Sequence, residues 1–139
     1  MSLVPALTVP GSASRARIRR RLLERVADHE PTHRTIDAHQ GDWQAFMEGV
    51  QLKVLREHEG VLSYLLRLAP GASLPPHRHP LDEECLVLDG VLRVGAHTRV
   101  GAGGYHLAQA GALHARISTE TGATIFLRGA LPQPEHELA

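Results

Sequence analysis

The stretch Pro75-Pro76-His77-Arg78-His79-Pro80-Leu81-Asp82-Glu83-Glu84 decides how this chain is to be read. His77 and His79 stand two apart. On an extended strand, side chains two apart share a face, so both rings project one way and Arg78 the other. Glu83 follows His79 by four positions. If the chain stays roughly extended past Pro80, Glu83 keeps the face of the two histidines and Glu84 turns outward. If Pro80 bends the strand and slips the register, Glu84 takes that place instead. Imidazole and carboxylate are the donors a borderline divalent cation prefers. A fourth donor should come from a distant strand, and His114, which follows the turn Gly111-Ala112-Leu113, is the candidate. The plainer alternatives are a histidine pair on a proline-rich surface loop and, at His114, a half-buried histidine with its hydrogen bonds satisfied. His29, His33, His39, His58, His97, His106 and His136 show no paired spacing and read as ordinary.

Outward from this stretch the periodicity is close to two. Val50, Leu52 and Val54 alternate with polar positions, and Val61 to Leu68 forms an apolar run stopped by Ala69-Pro70-Gly71. Cys85–Leu88 and Val91–Val94 flank Asp89-Gly90, a pair that tolerates positive φ and predicts a tight hairpin. Ala123 to Leu127 is a further short strand, and glycines punctuate the intervals. Many short strands at this spacing predict an all-β sandwich or barrel. The N-terminal part differs. Ile18, Leu22 and Val26 recur every four residues, with Leu23 and Ala27 beside them, which predicts an amphipathic helix over residues 14–30 ended by Pro31. Ser12 or Ser14 is its expected cap. Arg15, Arg19, Arg20 and Arg25 lie on the other face, and the run Arg19-Arg20-Arg21 reads as a solvated surface before a docking one. Residues 1–13 read as a loose tail, and residues 31–139 as one barrel with a short C-terminal tail.

Composition narrows the function. The chain has 139 residues, enough for one domain with a core of its own. Lys plus Arg and Asp plus Glu both number 15, and the five aromatics are too few for a base-stacking platform, so neither nucleic acid nor a membrane surface is expected as a partner. No apolar run approaches a membrane span, and no secretory signal is expected from residues 1–5. One cysteine excludes an internal disulfide, and a cytoplasmic setting is expected. Cys85 shares the parity of Glu83 and reads as a small buried hydrophobe rather than a redox group. Trp43 and Phe46 are expected over the barrel end or a subunit contact. Tyr64, Arg67 and Tyr105 are candidates to reach the pocket, with strand parity alone not saying which.

The pattern Gly71-x5-His77-x-His79-x3-Glu83-x6-Gly90 resembles the first cupin motif at every defined position. The second motif is matched by Gly103-x5-Gln109-x-Gly111-x2-His114-x3-Ser118, with Gln109 in place of the usual proline and Ser118 in place of the usual asparagine. These departures touch a turn and its hydrogen bonds, not the metal donors. The run Leu66-Arg67-Leu68-Ala69-Pro70-Gly71 ahead of the histidines, with a basic helix and Trp43 upstream, is similar to the ChrR-like cupins, the domains attached to zinc anti-sigma factors and their free-standing relatives. The resemblance covers about residues 45 to 130. It implies a double-stranded β-helix, a jelly roll, with His77, His79, Glu83 and His114 as metal ligands.

Three neutral imidazoles and one carboxylate would leave a divalent ion with a charge near +1. One ion per chain is expected, zinc first, with iron(II), manganese, nickel and copper also fitting the donors. Because imidazolium does not bind metal, affinity should fall below about pH 6.5. The resemblance implies a sensory, regulatory or small-molecule-binding domain. The alternative is a metalloenzyme of the dioxygenase type acting on a diketone- or catechol-like molecule, with a barrel that binds no metal as a third class. The sigma-holding half of the anti-sigma arrangement is a separate zinc module with cysteine ligands. Since the chain has only Cys85, a sigma factor is not an expected partner. A homodimer is expected, because exposed sheet edges need protection, with the N-terminal helix packed on the barrel or on the second subunit.

Overall fold

The computed structural model describes residues 11–29 and 33–130. The expected tails at residues 1–10 and 131–139, and Pro31, lie outside the described residues. The chain divides into two units between Thr35 and Ile36. The first contains one helix, α1 (Ser12–His29), which begins two residues earlier than the periodicity indicates. Neither serine caps it. The carbonyl of Gly11 accepts the first helical bond, from Arg15 N, so Gly11 holds the cap position. No residue of α1 is buried, and Ile18, Leu22, Leu23 and Val26 are exposed.

The second unit is β-structure throughout, as the period-two pattern requires. One sheet runs in the order β1 (Gln44–Met47), β2 (Val50–His58), β3 (Val61–Leu68), β11 (Ala123–Gly129), β6 (Glu83–Val94), and every pairing is antiparallel. The first half of β6 also pairs with β8 (Tyr105–Ala108). Its second half pairs with β7 (Thr98–Gly101) and with β10 (Ile117–Ser118), which in turn pairs with β4 (Ser73–Leu74). A separate small ladder joins β5 (His77–Arg78) to β9 (Leu113–His114). The curled antiparallel sheet is a jelly roll. Its core is the set of alternating inward residues: Val50, Leu52, Leu62, Tyr64, Leu66, Leu68, Cys85, Val87, Leu92, Ile125 and Leu127 are all buried.

Asp89-Gly90 makes no hairpin. Residues 83–94 form one continuous strand that passes from one half of the barrel to the other at this point. The glycine is needed for a different reason. Gly90 has φ +79°, and a Cβ there would lie 2.1 Å from the carbonyl oxygen of Gly122 and 2.9 Å from Cα of Ala123. A register shift against β11 at the same place gives β6 its bend. The tight turn lies further on, at Gly95, between β6 and β7.

Trp43 also takes a place the sequence does not specify. Its ring receives the guanidinium of Arg67 at 3.9 Å and the ammonium of Lys53 at 5.8 Å, and Lys53 is buried with its Nζ donating to the carbonyl of Ala38. Lys53 pairs in register with Leu65, on the opposite face from the core residues Leu52 and Leu66. Phe46 is partly buried and packs against the core.

Candidate metal centre

His77 and His114 are cross-strand partners in the β5–β9 ladder. This pairing, between residues 37 apart in sequence, stacks their rings at 5.0 Å with a 7° interplanar angle. Three hydrogen bonds clamp the two loops that carry the ladder. Gly111 N donates to the carbonyl of His79 at 2.8 Å, Arg78 Nη1 donates to the carbonyl of Gly111 at 2.8 Å, and Ala110 N donates to Asp82 Oδ1 at 2.7 Å. Arg78 therefore points away from the histidines, as parity predicts.

His79 follows β5, and its ring lies 4.3 Å from that of His77, edge to face, and 6.0 Å from that of His114. The chain does not stay extended past Pro80. It bends through Pro80 and Leu81 and resumes as β6 at Glu83. The bend, rather than strand parity, brings the Glu83 carboxylate back against His79, so that His79 Nε2 and Glu83 Oε2 are in contact. One ligand atom each of His77, His79 and Glu83 lies within 4.8 Å of the others, so the three could hold a metal ion. His114 is not in that tightest set, although its ring adjoins both histidines. Glu83 is 4% exposed and faces inward, whereas Glu84 is exposed and accepts a hydrogen bond from Tyr105 Oη at 2.9 Å.

The residues fit a cation on two independent observations. His79 Nε2 and Glu83 Oε2 are buried and meet each other without a hydrogen bond to any other group, a costly arrangement unless a further group satisfies both. In addition, His77 Nδ1 lies 2.7 Å from the carbonyl of Pro75, and His114 Nδ1 lies 2.6 Å from the carbonyl of Ala115. A carbonyl only accepts, so both rings carry their proton on Nδ1 and present a bare Nε2, the arrangement that orients ligating histidines. Burial, set against smaller raising effects from the Ala115 carbonyl and Glu83, lowers the His114 pKa and favours the neutral ring. The carbonyls of Pro75 and Ala115 are not visible as partners in the sequence.

The wall beside these groups is one rung of the sheet. Tyr64 pairs with Leu127, Leu127 with Cys85, and Cys85 with His106. Burial, aided by the charge of Glu83, pushes the Cys85 thiol up to about 12 and Tyr64 well above its ordinary value. Cys85 is thus a protonated, buried hydrophobe. Of the three uncertain pocket residues, Tyr64 faces in, Arg67 lies on Trp43 and Tyr105 is outside with Glu84. His106 departs from its reading as an ordinary histidine. It is half-buried, with its ring 5.3 Å from that of His114.

The family profile of the ChrR cupin-like domain matches residues 31–131. The chain belongs to the ChrR cupin-like family. Solved structures agree on the fold. KdgF from Halomonas sp. is 22% identical, with a TM-score of 0.63 over 75% of this chain and 99% of its own. A putative acetylacetone dioxygenase from Methylibium petroleiphilum is 18% identical, with a TM-score of 0.65 over 79% and 88%. The complex of Rhodobacter sphaeroides SigE with the anti-sigma ChrR matches at 20% identity, with a TM-score of 0.59 over 88% of this chain and 70% of that one. A search of curated proteins by sequence returned no match. Among the described residues, no helix of this cupin is long and apolar enough to cross a membrane.

Proposed function

We propose that this ChrR-like cupin binds one divalent metal ion through His77, His79, Glu83 and His114, and through it a small oxygen-donor molecule, as a sensory or regulatory domain. The buried pair His79 Nε2 and Glu83 Oε2, which meet each other and hydrogen-bond to nothing else described, carries the reading. The Nδ1 bonds of His77 and His114 support it, because they leave Nε2 of each ring free to donate. Bound there, the ion would supply Lewis acidity toward an oxygen ligand. The residues around it hold the donors in place and exclude water, with Leu127, Cys85 and Tyr64 buried beside Glu83. Zinc is the first choice of ion. A homodimer and a cytoplasmic setting belong to the same reading. Exposed Leu86, Leu88, Tyr105 and Leu107 on the outer side of β6 and β8 support the first, and the single free cysteine supports the second.

A second reading, a dioxygenase for diketone- or catechol-like molecules, draws on the apolar rung beside the donors and on the fold shared with the Methylibium protein. Elemental analysis of protein purified without a histidine tag tests the metal. About one equivalent is expected in the parent and in Arg78→Ala, and less than a tenth in His77→Ala and His114→Ala. Substoichiometric metal in the parent after exposure to each divalent ion overturns the reading. Oxygen uptake by the iron(II)-loaded protein with pentane-2,4-dione or catechol would favour the enzyme, and metal-bound but inert protein the sensor.

A further inference from the structure

We propose that His106 is a positioning residue for the molecule bound at the metal, donating a hydrogen bond from its imidazole N–H to a second oxygen of a small monoanion such as a carboxylate or an enolised diketone. The inference rests on the metal site proposed above and adds a residue that neither motif contains. The register decides which way His106 faces. On β8, Tyr105 and Leu107 are exposed while His106 and Ala108 are half-buried. Ala108 pairs with Glu83, and His106 with Cys85. Cross-strand partners share a face, so His106 stands on the inner side of the sheet, one rung of that face away from the Glu83 carboxylate.

Its ring meets that of His114 nearly perpendicularly, at 76°. It is not one of the donors gathered within 4.8 Å. Whereas His77 and His114 each commit Nδ1 to a backbone carbonyl, the His106 ring makes no hydrogen bond to the described residues. It thus has what a ligand-positioning group needs: an inward-facing ring, partial access and an uncommitted N–H. The class of ligand follows from charge. A divalent ion held by three neutral imidazoles and one carboxylate keeps a charge near +1, which a monoanion neutralises. With one oxygen on the metal, the other needs a donor, and Leu127 and Cys85 of the same rung supply none of comparable strength.

Cobalt(II)-loaded protein allows a test that does not depend on turnover. Visible absorption reads the coordination of the metal, and titration with acetate or with pentane-2,4-dione, each tested alone, reads the ligand. In His106→Ala the metal content and the ligand-free spectrum should match the parent, while the affinity for the probe falls about 10-fold or more. His106→Gln, which keeps an N–H donor, should recover part of that loss. Equal probe affinity in parent and His106→Ala overturns the inference. So does a parent that binds cobalt but shows no spectral response to either probe, with the metal site left intact. Loss of cobalt in His106→Ala also overturns it and would make His106 a ligand. A parent that takes up no cobalt refutes the metal site itself.

Discussion

Glu83 and Glu84 are adjacent carboxylates whose exchange for glutamine separates the metal centre from its surroundings. Glu83 is buried against His79, while Glu84 is exposed and accepts a hydrogen bond from Tyr105. A ligand that binds only the folded state stabilises it by RT ln(1 + [L]/Kd), about 2.7 kcal/mol at one hundred times Kd. For a barrel of this size that raises the melting temperature by roughly 10–20 °C. Changing an outer-sphere partner of a metal typically costs 10- to 100-fold in affinity, so replacing a donor itself should cost at least about 100-fold. At the same metal concentration Glu83→Gln would then stand near its own Kd and retain only about 0.4 kcal/mol, a shift of roughly 2–3 °C. Glu84→Gln should keep the full increment, since the Tyr105 bond it alters is at the surface. The assay is a thermal melt followed by circular dichroism, with and without zinc or cobalt, on the parent and both variants. The reasoning fails if Glu83→Gln shifts as far as the parent, or if Glu84→Gln loses the shift.

The metal-free protein should lose stability as pH falls below 6.5, the ordinary imidazole value, because burial lowers the folded-state pKa of His114 and the unfolded chain then binds the extra proton. Urea unfolding across that range measures it, and a flat profile in the parent set against a sloping one in His114→Ala would contradict the sign. Cys85, with its thiol pushed up to about 12, should resist a disulfide reagent at pH 8 in the native state and react once urea unfolds the barrel; native labelling at the rate of a free thiol would show that it is not buried. Gly90→Ala should destabilise by about 2 kcal/mol or more, since the left-handed conformation alone costs about 1–2 kcal/mol and the added Cβ meets backbone. Gly103→Ala, at φ +84° with open space around it, should show the conformational part alone, and equal losses in the two would remove the steric argument.

Some features of the centre could be read before any coordinate was known. The spacing of His77, His79 and Glu83 and the isolated His114 after its glycine turn contain candidate donor types; the structure gathers the first three and sets the His114 ring beside the two histidines. The route by which Glu83 arrives could not be read, because it depends on the bend at Pro80–Leu81 and not on alternation along one strand. Asp89-Gly90 misled for a related reason. The dipeptide reports only that positive φ is tolerated, and the chain uses it to let β6 pass beneath the carbonyl of Gly122 rather than to reverse direction. His106 carried no local signal, since its role depends on being opposite Cys85 across a ladder 21 residues away in sequence. Lys53 looked like the polar member of an alternating strand, and it is buried because residues around Ala38 and Trp43 cover that face.

The amino-acid sequence by itself determined the class of fold and which residue types could serve as metal donors, because periodicity, turn residues and residue spacing are local properties that a chain expresses wherever it folds. Only the tertiary structure decided which carboxylate faces inward, which carbonyls fix the histidine tautomers and which additional imidazole stands beside the centre. Each of those depends on register between strands distant in sequence, and register is set by the packing of the whole barrel rather than by any one segment.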